Sequence, residues 1–180
     1  REAADGHALA QSLRGRTATS REALAHAENH TGVVFSFACR AGGRLAGAER
    51  PIVSGLGRYG RHAGVAWHLA EDLSLLERAP ADESWASLIA DRAEAGRPML
   101  AVSLAAAEDP VVSELWEALA SGDDLDAADA LAERVRQSGA VEASRRQLLQ
   151  TSWSARRALN TLPPSPHRDA LDLLVGILIR

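Results

Sequence analysis

Residues 51–77, PIVSGLGRYGRHAGVAWHLAEDLSLLE, show the period of the chain most plainly. Ile52, Leu56, Tyr59, Ala63, Ala66, Ala70 and Leu73 recur at spacings of three and four. That spacing lines one side of an α-helix, and Pro51 stands where a first-turn proline is tolerated because its missing N–H has no partner to lose. A helix of this length must run through the centre of whatever it folds into. Outward from it the same period continues: alanine and leucine recur at helical spacing nearly everywhere, and alternating β-branched stretches are almost absent,. The fold class predicted is all-α.

The flanking segments supply the rest of a bundle. Arg1 to Leu13 reads as a helix closed by Arg14-Gly15-Arg16. Thr19 and Glu22 have capping-box spacing for a second helix that runs to Gly43 with a break near Gly32,. After Glu77, Arg78 to Ser84 has loop composition, and helices are expected over Ser87–Glu94, Pro98–Ala107, Val111–Ala120, Leu125–Ser138 and Val141–Leu162,. Ser165 caps a last helix that starts at Pro166,. No repeat and no long linker divides the chain, so residues 1–180 read as one helical domain,. Trp67, Trp116 and Trp153 fall on helical faces and are expected in the core, as is Cys39,.

Composition narrows the function. A net charge of −4 with arginines scattered among acids offers no broad basic footprint for nucleic acid,. The single cysteine cannot form an internal disulfide, and the longest apolar run falls short of a membrane span,; a reducing, cytoplasmic location fits these features. All 20 basic residues are arginine, so any site that needs a lysine must use something else. Arg145-Arg146 and Arg156-Arg157 read as salt-bridged surface,.

Four stretches, taken in order, resemble consecutive landmarks of the trans-isoprenyl (polyprenyl) diphosphate synthases. Ala4-Asp5-Gly6-His7-Ala8-Leu9-Ala10 is similar to their Gly-Gln helix, and His30-Thr31-Gly32 with the small and apolar residues through Gly43 is similar to their Lys-Thr-Gly segment. Tyr59 to Leu75 resembles the helix bearing the second aspartate-rich motif, and Asp91 through Gly96-Arg97-Pro98-Met99-Leu100 the Gly-Lys-x-Thr stretch. Leu162-Pro163-Pro164-Ser165-Pro166 completes the series. The likeness covers the whole chain and corresponds to the family's C-terminal half; the first aspartate-rich motif has no counterpart here.

The resemblance implies an isoprenoid-synthase-type helical bundle and an activity in which an allylic diphosphate ionises and isopentenyl diphosphate captures the carbocation. It implies Mg²⁺ held by Glu71 and Asp72, and diphosphate contacts from His30, Thr31, His68 and Arg97,. The chain departs from the pattern: Leu75 stands at the last carboxylate position, His30 in place of Lys, His68 in place of Gln, Ala10 in place of Asp and Met99 in place of a hydroxyl, and the Lys expected before Asp91 falls near Trp85 or Ala86. Each lost charge removes stabilisation of the departing diphosphate.

Three functions stay open: a synthase completed by an N-terminal half, a catalytically degenerate subunit of a homodimer or heteromer, and an isoprenoid-binding module without turnover. In each, His68, Glu71 and Asp72 point into a cavity. The missing opposite wall leaves an apolar face in which Ala66, Ala70 and Leu73 join Val34, Phe35 and Phe37. At ~25 cal/mol per Å², a wet patch of about 1,000 Å² forfeits roughly 25 kcal/mol, so a partner surface is expected to cover it.

Overall fold

The computed structural model describes residues 2–77, 83–122 and 126–178. All regular elements among them are helical: α1 (Glu2–Leu13), α2 (Ser20–Ala27), a π-turn (Glu28–Gly32), α3 (Val33–Leu45), α4 (Arg50–Glu77), α5 (Glu83–Glu94), α6 (Leu100–Ala106), α7 (Pro110–Ser121), α8 (Ala127–Gln137), α9 (Ala140–Ala158), a 3-10 turn (Leu159–Thr161) and α10 (Pro166–Ile177). The expected break near Gly32 is that π-turn, in which the Val33 N–H donates five residues back to the Glu28 carbonyl. α5 begins earlier than the sequence suggests, at Glu83, inside a segment of loop composition. Most of that expected loop, residues 78–82, lies outside the described residues, as do residues 123–125, which include the expected start of α8.

Local chemistry accounts for the ends. The Thr19 hydroxyl accepts from the Glu22 N–H, and the Glu22 carboxylate accepts from the Thr19 N–H in return,. Asp109 and Ser165 cap α7 and α10, each followed by a proline at the first helical position,.

α4 is the axis. It packs against α3, the π-turn and α9 along most of its length. The main core lies around its C-terminal half: Leu69, Leu73 and Leu76 meet Trp85, Ile89, Met99, Trp116 and Leu131 from the helices that follow. A smaller cluster around Tyr59, Ala155, Leu159 and Val175 secures the other end, where the Tyr59 hydroxyl donates to the Leu171 carbonyl at 2.7 Å and ties down α10. Trp85 is buried and donates its indole N–H to the Leu75 carbonyl at 2.8 Å, which pins α5 to α4,.

Five side chains depart from expectation. Trp116 is core, but Trp67 is 45% and Trp153 60% exposed; both sit on the stripes of α4 and α9 that no other described helix covers. Cys39 is only half-buried. Ala66 and Leu73 are fully packed rather than part of an open face, which instead carries Val34, Phe35, Phe37 and Trp67, with the Phe35 and Trp67 rings 6.4 Å apart.

The α3–α4 contact is set by small residues. A Cβ on Gly60 would stand 2.5 Å from the Phe35 carbonyl oxygen, and one on Gly64 would stand 2.8 Å from that of Thr31. Both collisions are with backbone and cannot be relieved by a rotamer change. Gly60→Ala should therefore destabilise by about 1–3 kcal/mol, as overpacking does. Gly42→Ala, on the same hairpin but with nothing within 4 Å, should stabilise by about 0.5–1 kcal/mol,. Thermal or urea melts of the two variants check this; equal effects would mean that the helices are not in close contact.

Candidate functional site

The close approach at Gly64 brings the π-turn onto α4 and places Thr31 beside His68, Oγ1 to Nδ1 at 3.1 Å. His30, on the same turn, and His26, four residues earlier on α2, complete a three-imidazole group. Ring centroids are 5.1 Å apart for His26 and His30, 5.5 Å for His26 and His68, and 6.3 Å for His30 and His68. One turn along α4 from His68, Asp72 is buried and takes the Arg92 guanidinium of α5 at 2.6 Å. Arg97 stands exposed just after Gly96, whose φ of +64° and whose closeness to the Ala10 carbonyl permit no side chain,.

Four of the six site residues named from the sequence lie together here: His30, Thr31, His68 and Asp72. Arg97 is an exposed charge that acts on all three imidazoles. Glu71 is a charge of opposite sign that acts on His30 and Asp72. It is exposed on the rim of a cleft of about 870 Å³ whose wall includes Trp67, Leu75, Leu88, Arg92, Leu148 and Ile177. Of the three side chains expected to point into a cavity, Glu71 lines this cleft, whereas His68 and Asp72 are buried in the packing and do not line it. Two members escaped the sequence reading. His26 was signalled by its four-residue spacing from His30, which puts both on one helical face. Arg92 had no local signal, because its partner is 20 residues away.

Burial dominates the electrostatics. It lowers His26 to about 4 and His68 to about 3, with repulsion from neighbouring imidazoles and from Arg92 and Arg97 adding to the effect,. His30 is lowered by burial and by the charges of Arg97 and Arg92, against an opposing pull from Glu71. Burial also pushes the Asp72 carboxyl up to about 7 against the pull of Arg92. Four polar atoms here have no protein hydrogen-bond partner: both ring nitrogens of His26, Nε2 of His68 and Oδ2 of Asp72. The last two lie 3.8 Å apart, beyond hydrogen-bond reach,.

A hard divalent cation requires several converging oxygens. Asp72 is already held by a guanidinium, Leu75 is buried and apolar, Glu71 is exposed on the cleft rim, and no group of three His, Cys, Asp or Glu among the described residues is placed to hold a metal. These residues do not fit Mg²⁺. What remains is suited to an anion: two guanidiniums, a hydroxyl and neutral imidazoles that donate. Met99 is buried at the N-cap of α6 and makes no side-chain cap bond, so the hydroxyl missing there is also missing as a cap.

No family model matches the sequence, and no curated protein does. Solved structures match in fold. A geranylgeranyl pyrophosphate synthase from Lactobacillus brevis superposes with a TM-score of 0.85 at 19% identity, over 99% of this chain and 55% of that one. A decaprenyl diphosphate synthase from Rhodobacter capsulatus gives 0.82 at 24%, over 99% and 55%. A polyprenyl synthase from Caulobacter crescentus, solved with calcium and isoprenyl diphosphate, gives 0.80 at 24%, again over 99% and 55%. This chain thus has the helical-bundle fold of the isoprenyl diphosphate synthases and spans little more than half their length. No helix among the described residues is long and apolar enough to cross a membrane.

The site makes stability depend on pH. Unfolded imidazoles bind protons below about 6.5, whereas His26 and His68 resist protonation in the fold until about 4 and 3,. Their contribution is complete above pH 6.5 and lost on acidification. Asp72 works the other way, since between its unfolded value of 3.8 and about 7 the folded state holds the extra proton,. Two histidines outweigh one carboxyl, so the melting temperature should fall from pH 7 to pH 5. His26→Leu should raise it at pH 7, by relieving two unsatisfied nitrogens, and should flatten the slope by up to about 1.4 kcal/mol per pH unit. A melting temperature independent of pH in the parent would contradict this account.

Proposed function

We propose that this chain is the C-terminal half or a subunit of a cytoplasmic trans-isoprenyl diphosphate synthase whose own metal chemistry has degenerated, and that it works against a partner supplying the rest of the bundle. The observation that carries the reading is the Arg92–Asp72 ion pair: the carboxylate that would hold a metal is neutralised from within the chain. Ionisation of an allylic diphosphate requires stabilisation of the charge that gathers on the leaving group. With Leu75 apolar and Asp72 occupied, this chain keeps only Arg92, Arg97, Thr31 and imidazole donors for that task.

Binding survives in this reading where turnover does not. The diphosphate of an isoprenoid ligand sits near Arg92 and Arg97, and its apolar tail lies along the cleft walled by Trp67, Leu75, Leu88 and Ile177. The partner, either a second copy or a chain carrying the N-terminal half, covers the face formed by Val34, Phe35, Phe37 and Trp67. A second reading, an active synthase completed by its other half, is favoured by Glu71, which has no ion-pair partner among the described residues and borders the same cleft.

The purified chain with Mg²⁺ should not condense isopentenyl diphosphate with an allylic diphosphate; turnover would overturn the proposal. Calorimetric binding of geranyl diphosphate should be unchanged by EDTA and at least as tight in Asp72→Asn, which frees Arg92. Loss of affinity by tenfold or more in both cases would favour the active, metal-dependent reading. Sedimentation should show a mass above 19.1 kDa; a monomer that melts sharply and binds no hydrophobic dye would refute the partner.

A further inference from the structure

Between the C-terminal half of α3 and the N-terminal half of α4 lies a second cleft, of about 660 Å³, lined by Arg40, Arg44, Arg50, Arg58, Arg61 and His62. It is distinct from the polar group around Asp72, since the 14 residues from Arg58 to Asp72 span about 21 Å of helix,. The register is regular. Arg40 and Arg44 are one turn apart on α3, and Arg50, Arg58 and Arg61 follow one face of α4,. The two helices are joined by a short turn, so both stripes face the same space.

Outside the cleft the described arginines divide evenly, since Arg14, Arg21, Arg97, Arg146, Arg157 and Arg168 have no ion-pair partner among the described residues and six others do. Arg16, Arg92, Arg134, Arg136, Arg145 and Arg156 each pair with a carboxylate. In the cleft Arg61 alone is held by an acid, Glu28 at 2.9 Å, and Arg58 reaches only the Ser54 hydroxyl. Arg40, Arg44 and Arg50 have no ion-pair partner among the described residues, and no carboxylate lines the cleft. A chain with net charge −4 has thus gathered five guanidiniums where no acid among the described residues lines the space. Arg40 is also held in place: its stem crosses the bare backbone of Gly57, where a Cβ would meet Arg40 Cγ and Cδ at 2.7 Å. A solvated patch needs neither the segregation nor the glycine.

Guanidinium forks match phosphate oxygens in pairs, and a volume of this order suits a small molecule or a headgroup rather than a duplex. We propose that the α3–α4 cleft binds a ligand carrying two or more phosphate groups, held by Arg40, Arg44, Arg50 and Arg58. This site does not rest on the synthase reading. The shared chemistry is a polyvalent phosphate, whether free in solution or displayed as clustered lipid headgroups.

Titration calorimetry of the full chain with sodium tripolyphosphate tests it, alongside sedimentation with phosphatidylcholine vesicles with and without phosphatidate. Saturable binding is expected, weakened by salt and at least tenfold weaker in Arg40→Gln/Arg58→Gln. Arg134→Gln/Arg156→Gln, which loses the same formal charge elsewhere, should stay within twofold. If the first double variant does not keep the parent's circular dichroism and melt, Arg44→Gln/Arg50→Gln, both exposed, takes its place. Binding of tripolyphosphate by the cleft with no preference for phosphatidate supports a soluble ligand. Cleft-dependent binding to phosphatidate vesicles supports a headgroup. Absence of saturable binding in both arms, or equal weakening by the two double variants, overturns the proposal.

Discussion

Gly60 and Gly64 let the chain before α4 come so close that any larger residue would strike the carbonyls of Phe35 and Thr31. The rest of the site is downstream of that contact. Because the π-turn can rest directly on α4, Thr31 reaches His68, and His26 and His68 meet at a depth where neither is readily charged, with His30 at their exposed edge. The same close packing at Gly57 lays the Arg40 stem over the helix. One small-residue stripe thereby serves two chemically opposite neighbourhoods, a buried group that resists protonation and an exposed cleft that is permanently cationic.

Asp72 and Arg92 show how a carboxylate is accommodated in the packing between two helices. A carboxylate at this depth is tolerated only with a counter-charge, whether an ion or a side chain. With a guanidinium supplied from α5, the counter-charge is permanent and cannot leave with a product. Leu75, three residues on, serves packing: its side chain is buried and its carbonyl accepts from Trp85.

Much of the fold was legible in the sequence, because long amphipathic periods, capping boxes and Ser-Pro starts are local signals. The α4 stripe and the Thr19/Glu22 box are direct examples. The misassignments came where tertiary context decides. Trp67 and Trp153 have helical spacing, but nothing among the described helices covers them, and spacing alone cannot tell a covered stripe from an open one. His30, Thr31 and His68 lie together with Asp72 one turn along α4. The Arg92 pairing was hidden because an ion pair between helices leaves no mark on either local sequence, and Glu71 and Asp72 part company because adjacent residues on a helix point about 100° apart.

The π-turn at Glu28–Gly32 carries one residue more than an α-helical path between α2 and α3 would use,. A helix with such an insertion can in principle lose one residue and close its hydrogen-bond ladder in the ordinary pattern. Everything on α2 would then rotate by about 100° relative to α3, and His26 would swing away from His30 and His68. The histidine group is therefore a product of chain length as much as of residue identity. Relatives that differ here by a single-residue deletion would keep the bundle while dismantling the site, a form of divergence that comparison of side chains alone would not register.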